Sequence, residues 1–157
     1  MLNGNIENIN LLLGEICDPE IPVLTITDLG IVRKVFEENN LFIIQITPTY
    51  SGCPAMDMIS MEIRMKLIEN GIKNFKIETV LSPAWTTDWM SENGKKKLAE
   101  YGIAHPNKFN NVDAGPKECP QCHSANTILI SNFGSTACKA LYQCNDCKEP
   151  FDYFKCH

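Results

Sequence analysis

The chain has 157 residues, 44% of them hydrophobic, and carries 14 Lys and Arg against 19 Asp and Glu for a formal charge of -5. That length suits one ordinary domain with a small appendage, and no stretch of the sequence approaches the roughly 20 consecutive apolar residues that span a bilayer. The opening MLNGNIEN lacks the basic and apolar regions of an export signal, so the expected location is the cytoplasm, with no membrane partner.

Ile6, Ile9, Leu13 and Ile16 recur at helical spacing, and Pro19 and Pro22 end that helix. Residues 31–37 and 41–47 are rich in Val and Ile, and Asn39-Asn40 between them tolerates the positive φ of a tight hairpin turn. After Gly52-Cys53-Pro54, the stripe Met56, Ile59, Ile63 and Leu67 predicts a helix from about Pro54 to Asn70, stopped at Asn70-Gly71. Met58, Met61 and Met65 on the same helix read as ordinary core and groove filler. Phe75, Ile77, Thr79 and Leu81 predict a third strand that runs to the Pro83-Ala84-Trp85 break, and a last helix spans Ser91 to Tyr101 before Gly102. Trp85 and Trp89 read as core or domain-contact residues. The stretch HPNKFNNVDAGP has little periodicity and reads as a linker. The expected organisation is an α+β fold: an α-β-β-α-β-α domain over residues 1–104, a linker over 105–116, and a β-rich ribbon over 117–157.

The ribbon carries the strongest chemical signal. Cys119 and Cys122, then Cys144 and Cys147 after a gap of 21 residues, give two C-x-x-C turns. Each turn presents two sulfurs, and two such turns complete a tetrahedron of thiolates. A closed four-thiolate site keeps no open position for catalysis, so the expected ion is a structural Zn2+, with Fe as the alternative because four thiolates suit both. Cys138, Cys156, His123 and His157 are candidates to replace one of these ligands. Eight cysteines without an export signal favour metal thiolates over disulfides, and the 41 residues from Lys117 onward are few for a fold without a staple. Their four Lys are balanced by four Asp or Glu, which is no footprint for phosphates, so no nucleic acid is expected and salt-sensitive retention of DNA or RNA is a minor alternative.

Cys53 sits between a strand and a helix. Unpaired donors and the positive end of a helix dipole favour thiolate there, and a thiolate can attack or bind soft metal. The plainer reading is a small buried hydrophobe that caps the helix. Residues 1–104 contain no histidine, which argues against a Cys-His hydrolase pair and favours metal or cluster handling. Asp18, in Cys17-Asp18-Pro19-Glu20, is a candidate to orient a metal or thiol, although Asp before Pro is commonly a turn former. Competing readings are a thiol oxidoreductase using one C-x-x-C pair, which conflicts with a metal that needs both pairs, and a zinc-ribbon scaffold that docks partners without metal transfer.

Four segments together, Asp18-Pro-Glu-Ile-Pro-Val, Asp28-Leu-Gly-Ile-Val, Gly52-Cys-Pro-Ala and Ser82-Pro-Ala-Trp-Thr-Thr-Asp-Trp, resemble the iron-sulfur cluster assembly domain shared by SufT-type and PaaD-type proteins. Phe133-Gly-Ser-Thr-Ala-Cys-Lys-Ala-Leu-Tyr-Gln-Cys and Glu149-Pro-Phe-Asp-Tyr-Phe-Lys-Cys resemble the C-terminal part of the PaaD type. The resemblance implies an accessory or maturation protein, not the catalyst, for the multicomponent phenylacetyl-CoA epoxidase of aerobic phenylacetate breakdown. That monooxygenase has a di-iron oxygenase component and an iron-sulfur flavin reductase, so the implied partners are the oxygenase and/or reductase components, with a homo-oligomer left open. It further implies that Cys53 handles a transient iron or iron-sulfur cluster, with Asp18 in the nearby acidic motif. One departure is His123, which stands where Gly often follows a metal knuckle.

Overall fold

The structure, a computed structural model, describes residues 5–49, 55–104, 116, 118–135 and 139–154. Helix α1 (Ile6–Leu13) starts at Asn5, whose side chain accepts the Asn8 N–H at 2.7 Å, and it buries Ile9, Leu12 and Leu13. It stops at Gly14, ahead of the predicted end, and Ile16 is buried from the following turn instead. Strands β1 (Val32–Glu38) and β2 (Leu41–Ile46) form the predicted antiparallel hairpin. Asn39 and Asn40 both take positive φ, 52° and 63°, as a mirror-image two-residue turn requires. Helix α2 (Ala55–Glu69) then crosses over to β3 (Phe75–Thr79), which pairs with β2 in parallel.

The predicted stripe of α2 does enter the core: Ile59, Ile63 and Leu67 are buried and Met56 packs against them. Met58, Met61 and Met65 do not, which corrects the expectation that they fill the interior. They lie on the outer surface with Ile68, Met61 being 63% exposed. The physical reason is that the neighbouring stripe already occupies the helix's contact with the sheet, and a helix of this size buries one stripe only.

A tight arrangement holds the end of the first part. Arg33 is the extra residue of a bulge in β1, and its guanidinium lies over the Trp89 ring, 3.3 Å from the centroid. Trp89 closes a short 3-10 turn (Thr87–Trp89) that passes so near Gly30, at φ 73°, that a Cβ there would collide with the Trp89 backbone. Helix α3 (Glu92–Glu100) begins at Ser91, whose hydroxyl accepts the Gly94 N–H at 2.9 Å. Asp28 anchors this helix: its carboxylate accepts Ser91 Oγ–H at 2.9 Å and Lys97 Nζ–H at 3.1 Å, and its carbonyl accepts the Ser91 N–H at 2.9 Å.

Strands β4 (Ile103–Ala104), β5 (Thr127–Ser131), β6 (Lys139–Cys144) and β7 (Pro150–Phe154) make a second sheet in the order β4-β7-β6-β5. β4 runs parallel to β7, and the other neighbours are antiparallel. Residues 103 and 104, expected at the tail of the first domain, therefore belong to the sheet of the ribbon. Most of the expected linker, residues 105–115, lies outside the described residues; Pro116 at its end is buried. The two sheets are not separate bodies joined by a tether. Phe154, on the last ribbon strand, is 1% exposed and packs in the same core as Ile9, Leu29 and Ile59. Among the described residues no helix is long and apolar enough to cross a membrane.

Candidate functional site

Among the described residues, two places bring together the chemistry-bearing side chains singled out in the sequence. In the ribbon, the Sγ atoms of Cys119, Cys122, Cys144 and Cys147 all lie within 4.8 Å of one another. The pairs Cys119–Cys147 and Cys122–Cys144 stand 3.8 Å and 3.5 Å apart, close to the ~3.8 Å edge of a tetrahedron whose thiolates sit ~2.3 Å from a central zinc. Each pair joins one turn to the other, so an ion would cross-link both.

The two turns repeat one backbone pattern. The Cys119 N–H donates to Ser124 O at 2.8 Å and the Cys144 N–H to Glu149 O at 3.0 Å. The His123 N–H donates to Cys119 O at 2.9 Å and the Lys148 N–H to Cys144 O at 3.1 Å. His123 and Lys148 take positive φ, 61° and 67°, where a glycine would fit without strain. The turns are then tied to each other: Ser124 Oγ donates to Asp146, and Asn145 N–H donates to Asn126 O at 2.8 Å.

Backbone donors prepare part of the site for thiolate. N–H groups of Cys147 and Asp146 hold the Cys144 thiol down at about 7 against the opposing effect of burial. At Cys147 the Glu149 N–H acts in the same sense, but burial and the crowding of neighbouring thiols outweigh it and push that group up to about 12. Four sulfurs this close cannot all ionise without a cation between them, and the donor set fits a soft divalent ion. His123 stays out of this group: its Nδ1 faces Glu118 Oε1 at 3.3 Å on the surface. Cys138, Cys156 and His157 lie outside the described residues.

The second place is Asp18. It is 7% exposed, and its Oδ1 accepts the N–H groups of Glu20 and Ile21, both at 2.8 Å. The turn-forming role expected of Asp before Pro is thus present. Burial raises the Asp18 carboxyl above its ordinary range, with the two N–H donors and the charge of Lys139 opposing the rise. Asp18, Glu20, Thr49, Met56, Ile59 and Phe154 line a small recess of about 10 Å³, room for about one water molecule or a bare ion. Thr49 and Met56 flank in sequence the segment 50–54 that carries Cys53, which lies outside the described residues. Cys17, next to Asp18, is exposed and makes a backbone bridge to Thr25.

Two buried residues were not foreseen: Phe154, which lines the recess, and Lys139, whose charge acts on Asp18. Lys139 is 4% exposed, and it is the register partner of Phe154. Their only sequence signal was position: each sits at the end of a ribbon strand, away from the cysteine turns.

With these features in place, the chain was compared with known proteins. Residues 6–80 match the family model described as iron-sulfur cluster assembly protein, and residues 104–155 match the PaaD zinc beta ribbon domain. A protein of Escherichia coli, provisionally described as one of the subunits of 1,2-phenylacetyl-CoA epoxidase, is 53% identical over 147 residues, 92% of this chain and 89% of that one. An Fe-S protein maturation auxiliary factor of Porphyromonas gingivalis is 37% identical over 94 residues, 59% of this chain and 89% of its own. A solved structure of a domain of unknown function, DUF59, from Bacillus anthracis superimposes with a TM-score of 0.55 at 29% identity, covering 59% of this chain and 90% of that one.

Proposed function

The chain belongs to the PaaD family, which joins an iron-sulfur cluster assembly domain to a zinc beta ribbon, and on that premise we propose that it is an accessory maturation factor of the phenylacetyl-CoA epoxidase. It assists assembly of the iron-sulfur or di-iron centre of that enzyme in phenylacetate breakdown, and it is not itself the catalyst. The observation that supports this best is the match over 92% of the chain to the Escherichia coli relative, which takes in both parts. The partners are the oxygenase and/or reductase components, in the cytoplasm, without nucleic acid or membrane.

In this reading the two places do different work. Cys119, Cys122, Cys144 and Cys147 hold a structural zinc, whose chemistry is to fix the two turns and thereby the β6–β7 hairpin. Cys53 and Asp18 handle iron as cargo: a thiolate suits a soft or borderline ion, and a carboxylate supplies a harder ligand. Metal counting on anaerobically purified protein should find about one zinc per chain, retained in Cys53→Ser, with any iron or sulfide lost in that variant. The test of function is made in cells lacking the protein. Iron should fall in the purified oxygenase or reductase and return with the wild-type chain, but not with Asp18→Asn or Cys53→Ser. Full iron in both components without the protein would overturn the reading.

A further inference from the structure

Strand β5 stands at the end of the ribbon sheet, and among the described residues no further strand lies along its outer edge. Its three central residues, Ile128, Leu129 and Ile130, are 44%, 48% and 51% exposed. Because successive side chains point to opposite faces, neither face of the strand is covered. A bare apolar edge invites pairing with another chain, and proteins blunt such edges with charge, proline or a bulge. From Ala125 to Phe133 there is no charged residue and no proline. One protection is present: Ile130 is the extra residue of a bulge against β6, which bends the strand at a single point. The open backbone groups are those of Leu129. Cys144 on β6 turns its N–H to Glu149 O, on the β7 side, at 3.0 Å. Backbone groups alternate in direction along an antiparallel strand, so Tyr142 also faces β7, and its register partner Leu129 directs its own N–H and C=O away from β6. The sequence around Leu129 is a palindrome. Asn126-Thr127-Ile128-Leu129-Ile130-Ser131-Asn132 reads the same in both directions when Thr and Ser are taken as equivalent. An antiparallel strand that pairs with its own copy across a two-fold axis needs that kind of self-complementary patch.

We infer that β5 docks a second copy of this chain: the two strands pair antiparallel about a two-fold axis at Leu129 and join two four-stranded ribbon sheets into one. At the axis Leu129 meets Leu129 of the second copy, and the two exchange N–H···O=C bonds. On either side Ile128 meets Ile130 of the second copy, and beyond them Thr127 meets Ser131, hydroxyl against hydroxyl, both favourable cross-strand pairs. No charge on the segment opposes the approach. A strand from another protein would use the same open backbone without any need for the palindrome, which is why the second copy is the occupant. One strand pair covers less than the ~1,600 Å² of a standard interface, so the dimer is reversible and depends on concentration. Because β5 begins soon after the Cys119–Cys122 turn, antiparallel pairing sets the two four-cysteine sites at opposite ends of the joint. The inference concerns the ribbon edge and is independent of the iron-handling reading of Cys53 and Asp18.

The test is sedimentation equilibrium of the zinc-loaded full chain over a range of concentrations, with amide exchange of β5 followed over the same range. The wild type is expected to rise from 17.7 kDa towards double that mass, and its β5 amides to exchange more slowly as it does. Leu129→Lys, which sets like charges across the axis, is expected to weaken the dimer about tenfold or more. Ile128→Lys combined with Ile130→Lys should act in the same way. Ile128→Lys combined with Ile130→Glu sets opposite charges across both outer pairs and should restore association, which checks the register. Each variant should hold about one zinc per chain, the sign of a folded ribbon. A wild type that stays at monomer mass overturns the inference. So does a monomer whose Leu129→Lys variant fails to bind an epoxidase component, since the edge would then belong to that component. A dimer untouched by the lysine variants, or equal behaviour of the like-charge and opposite-charge double variants, also overturns it. Should the variants lose their zinc, the wild type decides alone: β5 exchange that does not change with concentration overturns the inference.

Discussion

The rings of Trp85 and Phe154 meet edge to face, with centroids 5.6 Å apart and planes at 77°. Trp85 is fixed on its other side, where Nε1–H donates to Leu29 O at 2.8 Å. Phe154→Ala should therefore cost about 3–5 kcal/mol, seen as a lower midpoint in denaturant. Far-UV circular dichroism and Trp fluorescence should follow a single coincident transition in the wild type, since the ribbon and the first domain share this core. A ribbon that melts separately would contradict the shared core.

Removal of the metal should be felt at the same contact. Cys147→Ser takes away one of the four sulfurs, and the strand that begins three residues later carries Phe154. Zinc should be lost from the purified variant, and Trp85 emission should shift as the Phe154 edge loosens. A strong chelator should reproduce the shift in the wild type, and adding zinc back should reverse it.

Asp28 makes an acid-sensitive lock. Burial works against its charge, but Ser91, Lys97 and Thr25 outweigh burial and hold the carboxyl below the ordinary 3.8. A depressed folded-state value means that the stabilisation is fully present above the unfolded value and disappears as pH falls through the folded one. The stability gap between wild type and Asp28→Asn should accordingly be wide at neutral pH and close progressively below about pH 4. Ser91→Ala should cost about 1 kcal/mol through loss of the helix cap, with α3 the first segment to exchange its amide hydrogens.

Asp18 has the opposite sign. Its folded value is raised above 3.8, chiefly by burial, so the folded state holds the proton more tightly than the unfolded chain. Stability then declines as pH rises from 3.8 through the raised value, and neutral pH carries the penalty. Asp18→Asn keeps an oxygen for the Glu20 and Ile21 N–H groups and removes the buried charge. The variant should melt no lower than wild type at neutral pH, and the proposed role of Asp18 requires that it lose iron delivery, a separation of stability from function. Asp18→Ala, which leaves both N–H groups without that acceptor, should instead cost about 1–3 kcal/mol.

At the metal turns, His123 and Lys148 occupy the left-handed region. His123→Gly should raise ribbon stability by about 1 kcal/mol, measured as slower zinc release to a chelator. Because the His123 ring faces Glu118 and not the sulfurs, the zinc content of the variant should be unchanged.

Local signals carried much of this in the sequence. The Asn39-Asn40 turn, the Ile59-Ile63-Leu67 stripe and the spacing of the four cysteines each depend on residues a few positions apart, and each matches the structure. Long-range placement was not legible. β4 has two residues, too short for any periodicity, and joins the ribbon sheet only because β7 offers an edge. Phe154 reads as an ordinary ribbon strand residue, and nothing near it in the chain tells which core receives it. The methionines of α2 failed for a related reason: two apolar stripes lie side by side on that helix, and the sheet selects the one that is buried. Lys139 is an ordinary strand lysine until the fold buries it beside Phe154.

The burial of Phe154 among residues of the first domain also sets an order of events during synthesis. Helices α1 and α2 and the first sheet can form once residue 80 or so has emerged, but the core around Trp85 stays open until residue 154 follows. At ~5–20 residues per second, the stretch from the end of β4 takes on the order of 2–10 s to make. For that interval the nascent protein presents Trp85 and the Asp18 recess to solvent, without the Phe154 contact. A chaperone or an iron donor that acts on the growing polypeptide would meet a surface that the finished molecule no longer shows.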